Sequence, residues 1–215
     1  MKYLVPLILL ITLAIIVPVR AQIDSSRFLT TDIALTGGPT YPHLPLDLRD
    51  YWTKGWNAGA EIGFNFKPGP LGYGTVLLDA DMNRFTFDNA KYRSTFYQTN
   101  IMVTKNPTWM YDVTVNVRGT ITGWSSRIQP FFVLGVGYVK ISGADVTVSG
   151  DTSFTHPGES RSGFAWTGGI GIDFPVNDSF GIFVEARSVL TVVDPTRQYF
   201  PVSGGIRLRI PGRPF

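Results

Sequence analysis

Every second residue from Trp56 is apolar (Trp56, Ala58, Ala60, Ile62, Phe64, Phe66), and between them lie Asn57, Gly59, Glu61, Gly63 and Asn65. The same beat runs through Trp109, Tyr111, Val113, Val115 and Val117, interleaved with Met110, Asp112, Thr114, Asn116 and Arg118. It returns at Phe164, Trp166, Gly168, Ile170, Ile172 and Phe174, interleaved with Ala165, Thr167, Gly169, Gly171 and Asp173. Successive side chains of a strand point to opposite faces, so each stretch has one apolar and one polar face. The apolar face carries large aromatics at its ends, whereas the other carries glycine, amides and full charges. That distribution suits a barrel whose outside touches lipid and whose inside is narrow and polar.

The first residues point to export. Met1-Lys2 gives a positive start, Leu4 to Val19 is a nearly unbroken apolar run, and Val19-Arg20-Ala21 offers small residues at the −3 and −1 positions of a cleavage site. The expectation is a signal peptide over 1–21, Gln22 as the mature start, and one barrel domain over 22–215. A membrane anchor is the alternative reading, but the run falls short of the roughly 20 apolar residues a spanning helix needs. Losing Lys2 and Arg20 takes two positive charges off a formal net charge of +3, so the balance argues for no nucleic-acid partner. The chain has no cysteine, so its stability must come from packing and strand pairing.

Strand-like runs bounded by turn signals fall at 28–37, 54–66, 72–88, 108–122, 127–141, 162–174, 179–193 and 198–210. Most exceed the roughly 9–11 residues that a tilted strand needs to cross a bilayer. Lys67–Leu71, Gly123–Ser126 and Pro175–Asp178 read as tight turns. On the opposite side, 38–53, 89–107 and 142–161 read as long loops and 194–197 as a short one. The pattern predicts an all-β, eight-stranded antiparallel up-and-down transmembrane barrel, with both termini in the periplasm and the long loops outside the cell. Trp56, Trp109, Tyr138, Phe164, Trp166 and Phe200 are expected at the outer rim, and Phe66, Phe174 and Phe180 at the inner. Over 72–88 the alternation loses phase at Arg84, Phe85 and Phe87, as at a bulge or at the end of the membrane zone. Near the start of 127–141 both faces are apolar.

Three stretches resemble the small outer-membrane β-barrel family of Gram-negative bacteria, typified by the OmpA barrel domain and the OmpX-type proteins. Pro130–Tyr138 is similar to its central Gly-x-Gly strand, and Gly168–Arg187 to its strand-turn-strand hairpin ending in Glu-x-Arg. Ser203–Ile210 is similar to its C-terminal assembly signal, although Pro211–Phe215 follows it here. The resemblance implies residence in the outer membrane, contact with its lipid and lipopolysaccharide, and recognition by the barrel-assembly machinery during insertion. It implies no cofactor and identifies no extracellular ligand.

The inward phase is unusually charged: Asp32, Glu61, Asp79, Asp81 and Asp112 on the first four strands, and Arg118, Glu185, Arg187, Arg207 and Arg209 on the fourth, seventh and eighth. An eight-stranded barrel is only wide enough for side chains to fill, so these charges are expected to pair and plug the lumen. Closure brings the eighth strand beside the first, and Asp32, Arg187, Arg207 and Arg209 are expected to form one network across that seam. A structural or surface-interaction role through the long loops follows, with a narrow channel for small solutes and a lipid A-modifying enzyme as alternatives. A soluble lipocalin-like binder would need the reverse polarity, an apolar lumen and a polar exterior. Gly135-x-Gly137 and Gly169-x-Gly171 lack the following helix that phosphate cradling requires, and are read as making room in the lumen or easing strand curvature. His43 and His156 are the two histidines. His156 lies near Asp151, Ser153, Glu159 and Ser160 in sequence, the residue types of a hydrolase triad but without a Gly-x-Ser-x-Gly elbow. No catalytic, cofactor or metal residues are assigned.

Overall fold

The computed structural model describes residues 28–45, 50–66, 72–96, 102–121, 127–149 and 153–211. The expected signal peptide over 1–21 and the turns at 67–71 and 123–126 lie outside the described residues. Eight strands close into one antiparallel barrel: β1 (Phe28–Leu44), β2 (Gly55–Phe66), β3 (Gly72–Phe85), β5 (Thr108–Ile121), β6 (Gln129–Ser142), β9 (Arg161–Pro175), β10 (Phe180–Val192) and β11 (Arg197–Pro211). Each pairs with its neighbour in sequence, and β1 closes the ring against β11. Closure leaves no unpaired edge in the barrel wall.

The faces fall as the two-residue beat requires. On β5, Val113, Val115 and Val117 are exposed, whereas Asp112, Thr114, Asn116 and Arg118 are buried. Ile33, Leu35, Ile62, Phe64, Leu78, Leu134, Val184 and Leu208 continue the exposed apolar band around the ring. Near the loop end Trp56 packs edge-on against Trp109, with ring centres 5.6 Å apart. Arg84 keeps its outward phase and lies over the Trp109 ring. The pairing of β3 with both neighbours runs without a shift to its end. The loss of phase at Arg84–Phe85 is therefore no bulge: the lumen itself turns from polar to apolar at that height. In β6 the doubly apolar start resolves in the same way, with Phe131 and Val133 buried and Phe132 and Leu134 exposed.

One strand is longer than expected. The strand expected over 28–37 runs on to Leu44, into the segment read as a long loop, because β11 pairs with it that far. A side chain at Gly38 would sit 2.0 Å from the Val202 carbonyl oxygen, so the glycine marks a close approach of backbones. The long loops also carry structure. Helix α1 (Asn89–Phe96) is capped by Asp88, whose carboxylate accepts the Lys91 N–H at 2.9 Å. Short strands β4 (Met102–Lys105), β7 (Val146–Ser149) and β8 (Ser153–His156) form a separate three-stranded sheet at the same end. They come from the connections read as loops, and four-residue strands are too short for alternation to show in sequence.

Candidate functional site

The lumen holds the concentration of polar chemistry, and it is built in layers. At its centre the guanidinium of Arg187 reaches across the narrow barrel from β10. It donates to Asp79 at 2.5 Å, to Glu61 at 2.7 Å and to Glu185 on its own strand, and Asp81 lies at 3.8 Å. Arg118 on β5 donates to the other oxygen of Glu61 at 2.7 Å. All but Asp81 of these residues are buried. Five N–H groups in a fixed fork allow one arginine to hold several carboxylates, which a lysine cannot reproduce.

The acids outnumber the two arginines, and neutral donors reach two of them, Asp79 and Asp112. Asn116 donates to Asp79 at 2.7 Å and accepts from Thr167 at 2.5 Å. Asp112 accepts from the Tyr199 hydroxyl at 2.9 Å and from Asn83 at 3.2 Å. Glycine makes the room: a side chain at Gly135 would lie 1.8 Å from the Asn116 side-chain oxygen and 2.6 Å from the Val115 carbonyl oxygen. The Tyr199 hydroxyl is the donor that testing should isolate. Tyr199→Phe keeps the ring and removes one bond to a buried carboxylate, so we expect a loss of about 1.5–3 kcal/mol in urea unfolding. A change within about 0.5 kcal/mol, typical of surface substitutions, would remove Asp112 from the network.

A second ion-pair set sits toward the termini. Arg207 donates to Asp173 and lies 3.9 Å from Asp32, and Arg209 donates to Asp32 at 3.2 Å. Two aromatic rings separate the sets. Arg118 stacks over Phe131 at 4.8 Å and over Phe183 at 5.7 Å, and Arg207 stacks over Phe183 at 4.3 Å. The single seam network expected from sequence is thus corrected. Asp32, Arg207 and Arg209 do gather there, but Arg187 belongs to the central set, because its long side chain crosses the lumen instead of following the wall. Asp173, on the polar phase of β9 and adjacent to the turn, takes its place. A double-mutant cycle on Arg207 and Asp173 should give a coupling of about 0.5–3 kcal/mol. It should exceed the coupling of Arg207 with Asp32, and the reverse order would make the β1–β11 seam the stronger contact.

Toward the loops the lumen is closed by an apolar plug that the charge pattern did not foretell. Phe85, Met110, Val139, Ile141, Val189 and Tyr199 fill it, with Trp52 and Phe87 above them. Phe85 meets Tyr199 edge-on at 5.8 Å. The signal was present as the break in alternation at Phe85 and Phe87, where inward positions stop being polar. Elsewhere the side chains near His156 are engaged apart from one another. The His156 ring packs on Phe154, the Ser153 hydroxyl on Ser149 and the Glu159 carboxylate on Arg161, while Asp151 lies outside the described residues. His43 packs on Phe200. Among the described residues no cluster of His, Cys, Asp and Glu could hold a metal ion.

No known family model matches the chain, and no curated protein matches its sequence. Solved structures do resemble it. Neisserial surface protein A shares 12% identity over 84% of this chain and 96% of that one, with a TM-score of 0.47. The attachment invasion locus protein Ail of Yersinia pestis, in complex with the heparin analogue sucrose octasulfate, shares 14% identity over 83% of this chain and 99% of that one, with a TM-score of 0.43. The N-terminal β-barrel domain of Pseudomonas aeruginosa OprF shares 9% identity over 86% of this chain and 99% of that one, with a TM-score of 0.42.

Proposed function

We propose that this protein is a bacterial outer-membrane β-barrel with a structural or surface-interaction role, its termini in the periplasm and its long loops outside the cell. The observation that carries the reading is the reversed polarity of the barrel: an apolar exterior around a lumen filled with paired charges and closed by apolar side chains. Such an exterior has no stable place in water, where an apolar surface this extensive would associate or insert. The filled lumen argues against steady solute flow and leaves the loop end as the working surface. Membrane lipid and lipopolysaccharide are the surroundings this exterior suits. Ser203–Ile210, all within β11, is the segment we assign to recognition by the assembly machinery.

Cell fractionation followed by electrophoresis with and without boiling tests the placement. The protein should remain with the outer-membrane fraction and shift its mobility on heating, and recovery in the soluble wash would sink the proposal. Planar-bilayer recording tests the plug: large, stable conductance would favour a channel. A mass change in lipid A extracted from expressing cells, abolished by His156→Ala, would favour a lipid-modifying enzyme.

A further inference from the structure

Among the described residues, the outward phase of the barrel strands carries charge at two positions, Arg84 on β3 and Lys140 on β6. Both are cations, and both lie near the loop ends of their strands, which finish at Phe85 and Ser142. They flank β5 from either side: Arg84 pairs in register with Trp109, and Lys140 with Tyr111. Strand spacing and rise put their Cα positions roughly 12 Å apart. Between them Trp109 and Tyr111 stack nearly parallel, with ring centres 6.3 Å apart and planes 9° from one another. Arg84 lies 5.6 Å from the centre of the Trp109 ring, a contact that supplies no anion to its charge. Lys140 is exposed. Asp88 and Asp145, the next acids toward the loops, lie beyond the strand ends and accept the N–H groups of Lys91 and Gly158. A cation on an apolar band is costly at mid-depth and tolerated at the interface, where its long side chain reaches headgroups.

We infer that this stretch of outer wall, from Arg84 across Trp109 and Tyr111 to Lys140, holds an anionic lipid of the surrounding leaflet by its phosphate. Arg84 engages phosphate oxygens as a fork, and Lys140 as a point charge. The two rings suit headgroup depth, and Val113, Val115 and Val117 continue down β5 as an apolar track for an acyl chain. Charge complementarity names the occupant. A face with two cations and no carboxylate selects an anion, and its apolar continuation selects one that carries hydrocarbon. The outward phase of β9, β10, β11, β1 and β2 is uncharged and offers no such preference. The inference rests on the membrane placement proposed above, and gives one lipid class a defined address on the barrel.

The test uses the full chain refolded into phosphatidylcholine vesicles that contain a small fraction of phosphatidic acid. One lipid or the other carries brominated acyl chains, which quench tryptophan on contact, and the two quenching curves give the preference of the barrel surface. Phosphatidic acid should be preferred, and the preference should fall with salt. Arg84→Gln and Lys140→Gln should each lower it roughly fivefold, and the double variant should abolish it. Arg93→Gln, on helix α1 beyond the barrel, removes an equal charge and should leave it unchanged. Quenching by both lipids alike, or a preference kept in the double variant, would overturn the site while leaving the membrane placement intact. Loss of the preference on adding inorganic phosphate at constant ionic strength would assign the cations to a soluble anion and overturn the lipid. Failure of the placement itself reads differently: neither brominated lipid would quench, and the site would fall with it.

Discussion

Arg187→Ala should destabilise the barrel by about 3–5 kcal/mol, because removing one partner of a buried ion pair strands the others. Here the stranded groups are carboxylates that the arginine holds at the centre of the lumen, Asp79 and Glu185 among them. Glu61 keeps Arg118 and is harmed less. Arg187→Lys should recover only part of the loss, since an ammonium cannot reach from β10 to β2 and β3 with the same fork. Adding Asp79→Asn and Glu185→Gln to Arg187→Ala should recover more, because those changes remove the unpaired charge itself. Urea titration of the protein refolded in lipid vesicles measures all three. A loss below about 1 kcal/mol for Arg187→Ala would mean that water replaces the arginine and that the lumen is wet.

Val115→Arg is the second large effect, expected at about 2–4 kcal/mol when the barrel sits in a bilayer. Val115 lies in the middle of β5, half-exposed on the apolar face and flanked by Leu78 and Val136. Ile121→Arg, at the terminal end of the same strand and on the same face, should cost only about 0–1 kcal/mol. That dependence on depth is the signature of a hydrocarbon slab, and equal tolerance of both in vesicles would show that the exterior meets water. Asn116 is no mild control for the lumen side, although its polar phase suggests one. It is fully buried and donates to Asp79, so Asn116→Asp would set two carboxylates face to face.

The barrel was legible in the sequence wherever one face is apolar and the other polar, because a period of two converts directly into inside and outside. Eight of the ten charges read as inward are buried, and the partly exposed Asp81 and Arg209 lie within reach of the buried Arg187 and Asp32. What the pattern cannot carry is how far a side chain reaches across the lumen. Period alone therefore groups Arg187 with its wall neighbours on β11, whereas it bonds Glu185 on its own strand and reaches Asp79 and Glu61 across the lumen. The plug was hidden for a different reason: at Phe85, Met110 and Tyr199 the inward phase is itself apolar, and alternation vanishes without the strand ending. Helix α1 carries an Asp88 cap, and the small sheet joins one pairing between separate connections, β4 with β7, to one four-residue hairpin, β7 with β8, none of which has a period to read.

The reversed polarity also sets which substitutions the chain can absorb. A soluble protein tolerates almost any polar replacement outside and many apolar ones inside. Here the exterior asks only for an apolar side chain, so Val, Ile, Leu and Phe should exchange freely there while a single charge is rejected. The interior asks for named partners, so a neutral replacement of one acid or arginine is survivable chiefly when its counterpart changes with it. Drift in such a barrel should run fast and unspecific on the outside and slow and in pairs within, leaving related chains alike in their coupled charges long after their outward residues have ceased to match.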